Sequence, residues 1–355
     1  MAGQATTPRF SQREAERLAS GLFGVTGSAA ILSSERDQNF RIVATDGQAF
    51  ILKAANAAED RQALASQNTL LLHLAAVAPD LPVPRLIAAS DGSVMRLAAG
   101  ASGQMHPVRL LTCLPGEVAA VRPRSTAFRR ELGRVAARLD RALENFDWRV
   151  PDHGLIWDLK HTAKLRPLLD HFEVRQQRLL AERALGLFDA VVAPRLDRLP
   201  VQAIHNDLNG NNVLVDPARP DALSGIIDFG DAVRSARVFE VAVAAAHQTF
   251  GEADPVAAAA DVVGGYFEGA RLTEDEAVVL PVLILARLAV RMGVIAGRRL
   301  THPGSGHFDP SVETSVWRTM EIIADGDLAA MTDRLLNPDY PFPEDPTVET
   351  SGVQP

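Results

Sequence analysis

One stretch limits what this chain can fold into more than any other. It is "AIHNDLNGNNVLVD", residues 203–216, with "DFGD" following at 228–231. Asn206, Asn209, Asn211 and Asn212 crowd a histidine and an aspartate between two apolar runs. Asparagine is poor in strands and costly to bury without partners. Such a run is either a tight turn or a place where something charged is held. "NVLVD" and "GIID" read as short strands joined by the Pro-rich "PARPDALS". That hairpin brings Asp228 back to Asn212, from which it is sixteen residues distant, and so to Asp207. A carboxylate able to take a proton and two hard oxygen ligands then share one site.

The rest of the sequence supplies the frame. At 355 residues the chain is long for a single core, which implies two lobes. Ser11 and Glu14 have capping-box spacing ahead of a first helix. "AAILSS", "FRIVA" and "QAFILKA" then read as strands, with "TDG" as the turn between the last two. An amphipathic helix over "EDRQALASQNTLLLHLAAVA" is ended by the prolines of "LPVPRLIAAS". Two more strands are expected around 93–98 and at "PVRLLTC". From Glu117 the pattern turns helical, as in "FRRELGRVAARLDRALENF" and between 159 and 192. The two motif strands interrupt it once. Helices resume to about 336, and Thr273 and Glu276 give another capping box. The expected fold class is α+β: a β-rich lobe over 1–114, a helical lobe over 115–337, and a mobile tail over 338–355, rich in Pro and acids.

Composition narrows the partners. A net charge of -8 argues against nucleic acid and hints mildly at a cationic small substrate. Cys113 is the only cysteine, so no intrachain disulfide forms and a reducing compartment is expected. The N-terminus lacks the apolar stretch of a signal peptide, and "AVVLPVLILA" at 277–286 is too short to span a bilayer. A cytoplasmic protein with no membrane partner is expected. Oligomeric state leaves no signal.

His205, Asp207 and Asn212 fit H-x-D-x-x-x-x-N, and with Asp228-Phe229-Gly230 they have the spacing of a kinase catalytic loop and its metal-binding turn. A kinase also needs a lysine on its third strand, and "FILKAAN" places Lys53 there. It needs a hinge, and the backbone from Thr112 to Leu114 in "LLTCLPGE" is positioned to meet a purine edge.

With these segments, and with "LSSERDQNF" and "VFEVA", the chain resembles the aminoglycoside phosphotransferase and choline kinase superfamily, closest to its hydroxylysine kinase-like branch. The resemblance implies a bilobal protein-kinase-like fold. It implies Asp207 as catalytic base, Asn212 and Asp228 as Mg2+ ligands, and Lys53 as the phosphate contact. The co-substrate would be ATP or GTP, and the acceptor a small, amine-bearing alcohol. Choline or ethanolamine, homoserine and aminoglycosides are the alternative acceptors. A nucleotide-binding module without transfer is the alternative of another class.

Two departures from the kinase pattern matter. "SSERDQN" replaces a G-x-G-x-x-G loop, leaving backbone N–H groups and the Gln38 and Asn39 amides to meet phosphates. The helix residue expected to pair with Lys53 is Gln67 instead of Glu, with Glu59 as the other candidate. On the acceptor side, Trp157 and Asp158 would form an aromatic-plus-anion lid for an amine, against the plainer reading of a core Trp and a helix cap. Asp231 and Glu240 would either cap turns and helices or line an acidic pocket, one drawn around Asp207, Asp231 and Asp158. Arg287 and Arg291, one helical turn apart, would pair with acids in the core or bind a substrate carboxylate. His205 and His247 are expected to pack.

Overall fold

The structure, a computed structural model, describes residues 7–34, 37–121, 124–301 and 310–337. The tail from 338, and residues 35 and 36 of the "SSERDQN" loop, lie outside the described residues.

Ser11 opens helix α1 (Gln12–Phe23) with a reciprocal capping box to Glu14, and Gly24 closes it in a left-handed conformation. Six strands follow: β1 (Gly27–Leu32), β2 (Gln38–Ala44), β3 (Ala49–Ala54), β4 (Leu86–Ile87), β5 (Arg96–Ala99) and β6 (Met105–Thr112). They form one antiparallel sheet in the order β1-β2-β3-β6-β4, with β5 also on β6. Strand side chains alternate between faces, so register decides what each face carries. Phe40, Ile42, Leu52 and Leu110 bury one face, in a single core with Ala15 and Ala19 of α1. The other face is polar at its centre. Asn39 lies opposite Lys53, and Lys53 opposite Arg109, a row of three across β2, β3 and β6.

Helix α2 (Arg61–Val77), capped by Asp60, joins the two halves of the molecule. Gln67 and Asn68 reach the polar face of the sheet at Arg109. Leu70, Leu71 and Leu74 instead enter a second, larger core. Two separate cores make two lobes, as the length of the chain implies.

The second lobe is built on α3 (Thr126–Leu143), α4 (Arg175–Leu187), α5 (Val238–Gln248), α6 (Pro255–Phe267), α7 (Glu274–Thr301), α8 (Pro310–Asp325) and α9 (Leu328–Leu336). Gly133 and Gly265 let α3 and α6 touch backbone to backbone. A Cβ on Gly133 would lie 1.9 Å from the Val262 carbonyl oxygen, and one on Gly265 1.9 Å from that of Arg130. All of α5 is buried. Helix α7 extends far beyond the apolar run at its start and, at 28 residues, is long and apolar enough to cross a membrane. Its apolar window is nevertheless 83% buried inside the protein.

Small β elements carry the motif. β9 (Val213–Asp216) pairs with β10 (Arg219–Ile226) and with the short β7 (Glu117–Val118), while β8 (Val201–Ile204) pairs with β11 (Val233–Ala236). The β9–β10 hairpin is the one expected from "NVLVD" and "GIID". Strands β4, β7, β8 and β11 are too short to show a period in the sequence. Residues 159–171 also differ from expectation: they form a kinked 3-10 run, not an α-helix. Pro167 lies within that run and has no N–H to continue an α-helical ladder.

Candidate functional site

The asparagines of residues 206–212 organise one carboxylate. Asp207 Oδ2 accepts from Asn212 Nδ2 at 2.7 Å and from Asn209 Nδ2 at 2.8 Å. Asp207 Oδ1 accepts from Arg287 Nη2 at 2.6 Å. Three donors thus fix the carboxylate as an acceptor, 18% exposed at the lobe junction. Asn211 donates its backbone N–H to Asn209 Oδ1, which tightens the same turn. Gly210 allows that turn to approach Ala120, whose N–H bonds the Gly210 carbonyl at 2.9 Å.

The Asn212 amide is oriented by these contacts. Its Nδ2 is spent on Asp207, so its Oδ1 faces elsewhere and keeps its lone pairs. Asp228 adds a carboxylate that is 53% exposed. An amide oxygen and an accessible carboxylate are hard donors of the kind that suit Mg2+. Lys53 Nζ reaches Asp228 Oδ1 at 3.2 Å, and its charge holds the Asp228 carboxyl below the usual carboxylate range. Lys53, Asn212, Asp207 and Asp228 are therefore drawn together from β3, the Asn-rich loop and the turn after β10.

Two residues in this neighbourhood, Asn206 and Asp228, take positive φ, at 67° and 63°. That conformation costs most residues about 1–2 kcal/mol, and Asn and Asp tolerate it best. Buried groups hold it in place. Glu240 Oε2 accepts the N–H groups of both His205 and Asn206, the latter at 3.2 Å. His205 lies edge-on to Phe229 at 4.6 Å, receives the Asp207 N–H on Nδ1 at 3.2 Å and gives its Nε2–H to the Ile227 carbonyl at 3.0 Å. These contacts fix its tautomer, and burial pushes its pKa down. His205 thus ties the Asn-rich loop to the Asp228 turn.

Glu240 supports a pH prediction. Burial pushes its pKa up to about 7, against the two backbone donors, with nearby Asp207 raising it further and Arg287 opposing. Buried Asp140, which accepts from Tyr266 at 2.7 Å, is raised in the same direction, chiefly by burial. Below pH 4.5 Glu240 is protonated folded or unfolded. Between about 4.5 and 7 only the folded state keeps the proton, so stability falls as pH rises through that window, by up to about 1.4 kcal/mol per unit. Denaturant midpoints from pH 5 to 8 should therefore decline in the parent protein and decline less in Glu240→Gln. Parallel slopes in the two proteins would show that Glu240 does not hold the proton.

Several expected partners lie elsewhere. Gln67 does not meet Lys53: its Nε2 bonds the Gly230 carbonyl at 3.3 Å, and its Oε1 accepts from Arg109 at 3.3 Å. The reason is register, since buried Arg109 sits beside Lys53 and takes the acceptors of α2, including Asn68 Oδ1 at 2.9 Å. Burial pushes the Arg109 guanidinium down, and Asp37, Asp228 and Glu59 pull it back up. Glu59 precedes the cap of α2 and lies within the field of this arginine. The Gln38 amide is not aimed at a phosphate either, because it clips the Phe10 backbone at 2.7 and 2.9 Å. Asn39 does face Lys53, and its Oδ1 is buried without a partner among the described residues. In the hinge, the Thr112 N–H bonds Arg85 O and the Cys113 N–H bonds Ala49 O, while among the described residues the Leu114 N–H has no hydrogen-bond partner.

The acceptor side differs most from expectation. Asp158 is fully buried, caps the 3-10 run, and receives Ser235 Oγ at 2.7 Å and Lys160 Nζ at 3.0 Å. Asp152, Asp158 and His161 are close enough together to suggest a metal, yet Lys160 already places its ammonium against both aspartates. The Trp157 ring carries a protein cation, the Arg287 guanidinium, 4.7 Å from its centroid. Asp231 is half-buried, its carbonyl accepting from Asn206 at 3.2 Å. The acidic pocket expected around Asp207, Asp231 and Asp158 is thus largely neutralised by Arg287 and Lys160. The sequence reading gives Arg109 and Asn209 no role, and Glu240, read as a cap or pocket residue, instead accepts the backbone N–H groups of His205 and Asn206. Only Arg109 left a clear trace, as a lone cation inside the apolar "PVRLLTC".

Known proteins share both the sequence and the fold. Residues 28–277 match the model of the phosphotransferase enzyme family. Hydroxylysine kinase of Bos taurus is 28% identical over 341 residues, covering 90% of this chain and 91% of its own length. That of Mus musculus is 26% identical over 339 residues, covering 90% of each. Among solved structures, an amicoumacin kinase in complex with AMP-PNP, Ca2+ and Ami superposes with a TM-score of 0.68 at 12% identity, over 91% of this chain and 97% of its own. A microcompartment-associated aminopropanol kinase superposes at 0.65 with 20% identity, over 91% and 97%. The bilobal α+β architecture is theirs as well, and the chain belongs to the phosphotransferase enzyme family, as a small-molecule kinase acting on a hydroxyl group.

Proposed function

We propose that the chain transfers the γ-phosphate of ATP or GTP to the hydroxyl of a small, amine-bearing acceptor of the hydroxylysine type. The observation that carries this reading is the Asp207 carboxylate, pinned by Asn209, Asn212 and Arg287 beside the Lys53–Asp228 pair. Asp207 takes the proton as the acceptor oxygen bonds to phosphorus, and the bond from phosphorus to the β,γ-bridging oxygen breaks to release the diphosphate. Lys53 and Arg109, side by side on the sheet, supply positive charge toward the phosphates, and the Leu114 N–H meets the purine. Asn212 Oδ1 and the Asp228 carboxylate would hold Mg2+, which when bound neutralises phosphate charge. The amine-bearing acceptor is supported by the hydroxylysine kinases that match over most of their length.

The test is nucleoside diphosphate release across a panel of hydroxylysine, homoserine, ethanolamine, choline, aminopropanol and an aminoglycoside, with the phosphorylated product identified by mass spectrometry. Acceptor-dependent release is expected, strongest with hydroxylysine. Intact nucleotide binding with no acceptor-dependent release would instead leave a nucleotide-binding module.

This reading gives Gln67 a measurable part. It positions Arg109 and, through Gly230, the turn that carries Asp228. Gln67→Leu should weaken nucleotide binding by about 1–3 kcal/mol, the usual loss when a charged group loses a hydrogen bond. Calorimetry with ATP measures it, and an unchanged Kd would confine Gln67 to packing.

A further inference from the structure

Beyond Asp207 lies a basic cluster. It is built by Arg287 and Arg291 on α7, Arg124 ahead of α3, and His247 and Phe250 at the end of α5. Two of the three arginines are committed. Arg124 gives its Nη groups to the carbonyls of His247 at 2.6 Å and Phe250 at 2.7 Å. Arg287 is 2% exposed and bonds Asp207, the Trp157 carbonyl at 3.1 Å and His247 Nε2 at 3.5 Å. Arg291 differs. It lies against the Phe250 ring, its Cζ 5.4 Å from the centroid. Among the described residues it has no hydrogen-bond or ion-pair partner, and its Nε is buried without one.

The local carboxylates do not answer this charge. Asp207 is bound by Arg287, and Glu313 of α8 is bound by Arg299. His247 cannot add a negative charge, and burial, then Arg287, Arg291 and Arg124, push its pKa well down, so it stays neutral. Burial and the neighbouring Arg287 also push the Arg291 guanidinium down, with Glu313 and Asp207 opposing them. A buried cationic N–H without an acceptor is costly, and an anionic ligand removes that cost. An amine there would meet three guanidinium groups.

We propose that Arg291, beside Arg287, receives a carboxylate of the acceptor, so that the substrate is a hydroxyl-bearing amino acid and not an amino alcohol. The proposal rests on the kinase reading above for the place of the hydroxyl. One unpaired guanidinium matches the single charge of a carboxylate, which its planar fork can grip bidentately. Arg287 touches Asp207, and Arg291 lies one helical turn further along α7, about 6 Å. Hydroxyl and carboxylate should be separated by about that distance, as the ends of a chain of several carbons are.

The test compares 5-hydroxylysine with its decarboxylated counterpart, a diamino alcohol lacking only the carboxylate. Both are titrated by calorimetry into the full chain carrying a non-hydrolysable ATP analogue and Mg2+. The amino acid should bind at least about tenfold tighter than the amine. Arg291→Met should weaken the amino acid by about 10- to 100-fold and leave the amine unchanged, with Arg291→Lys between. In turnover, KM for the amino acid should rise while kcat and the nucleotide KM hold. Thermal melts check that the variants fold. Equal binding of both ligands by the parent protein, equal weakening of both in Arg291→Met, or binding of neither ligand would overturn the proposal. Carboxylate-dependent binding without any phosphorylated product would keep the subsite and sink the kinase reading instead.

Discussion

Asp207→Asn is expected to lose phosphoryl transfer by a factor on the order of 10² to 10⁴ in kcat, because an amide cannot accept the acceptor's proton at neutral pH. The surroundings of Asp207 add a second consequence. Asn209 and Asn212 donate to one carboxylate oxygen and Arg287 to the other. An asparagine keeps one oxygen, so one set of donors would face an NH2 group. If Arg287 is the side left unpaired, a guanidinium only 2% exposed loses its counter-ion, and breaking a buried pair in this way costs about 3–5 kcal/mol. The variant should therefore melt at lower temperature as well as lose turnover. Nucleotide binding separates the two effects, since Lys53, Asn39 and Leu114, the nucleotide contacts of the proposed site, do not touch Asp207. The expected variant still binds ATP below its melting transition and turns over the proposed acceptor hardly at all. Turnover near that of the parent protein, on a confirmed acceptor, would remove Asp207 from the role of base.

The parts of this fold that sequence discloses are those with a period or a fixed spacing. The β2–β3 hairpin, the α1 and α7 caps and the β9–β10 hairpin all have local causes: turn residues, capping boxes and alternation. The grouping of Asp207, Asn212 and Asp228 follows from the same local geometry. What stays hidden is set by contacts between distant elements. Gln67 has the helical phase to face the sheet, but which cation it meets depends on Arg109 standing opposite Lys53 in β6. Glu240 reads as a helix or pocket residue until β8 and α5 are seen to bring it under the backbone of His205 and Asn206. Trp157 and Asp158 fit an amine lid by residue type. Arg287 and Lys160 come from other elements and fill that role with the protein's own cations.

Replacing Asp228 should abolish the Mg2+-dependent part of nucleotide binding. In the proposed site Asp228 supplies the one metal-binding carboxylate, and Mg2+ uses one or two carboxylates together with substrate phosphates. Even the partners behind a metal ligand are worth 10–100-fold in affinity, so loss of the ligand itself should cost at least on the order of 10²-fold. The choice of substitution matters, because Asp228 sits at φ 63°. Alanine there adds the left-handed penalty of about 1–2 kcal/mol, whereas asparagine is among the residues that tolerate this conformation. Asparagine can also keep an oxygen toward the Lys53 ammonium, now 3.2 Å from Asp228 Oδ1. Asp228→Asn therefore removes charge with little change of shape, and Asp228→Ala removes both. Calorimetry of ATP with and without Mg2+ should show strong enhancement in the parent protein and almost none in either variant. Weak metal-free binding should survive better in Asp228→Asn, where Lys53 stays oriented. Were Mg2+ to enhance binding equally in all three proteins, the metal site would have to be built from other residues, and Asp228 would be left as the counter-ion of Lys53.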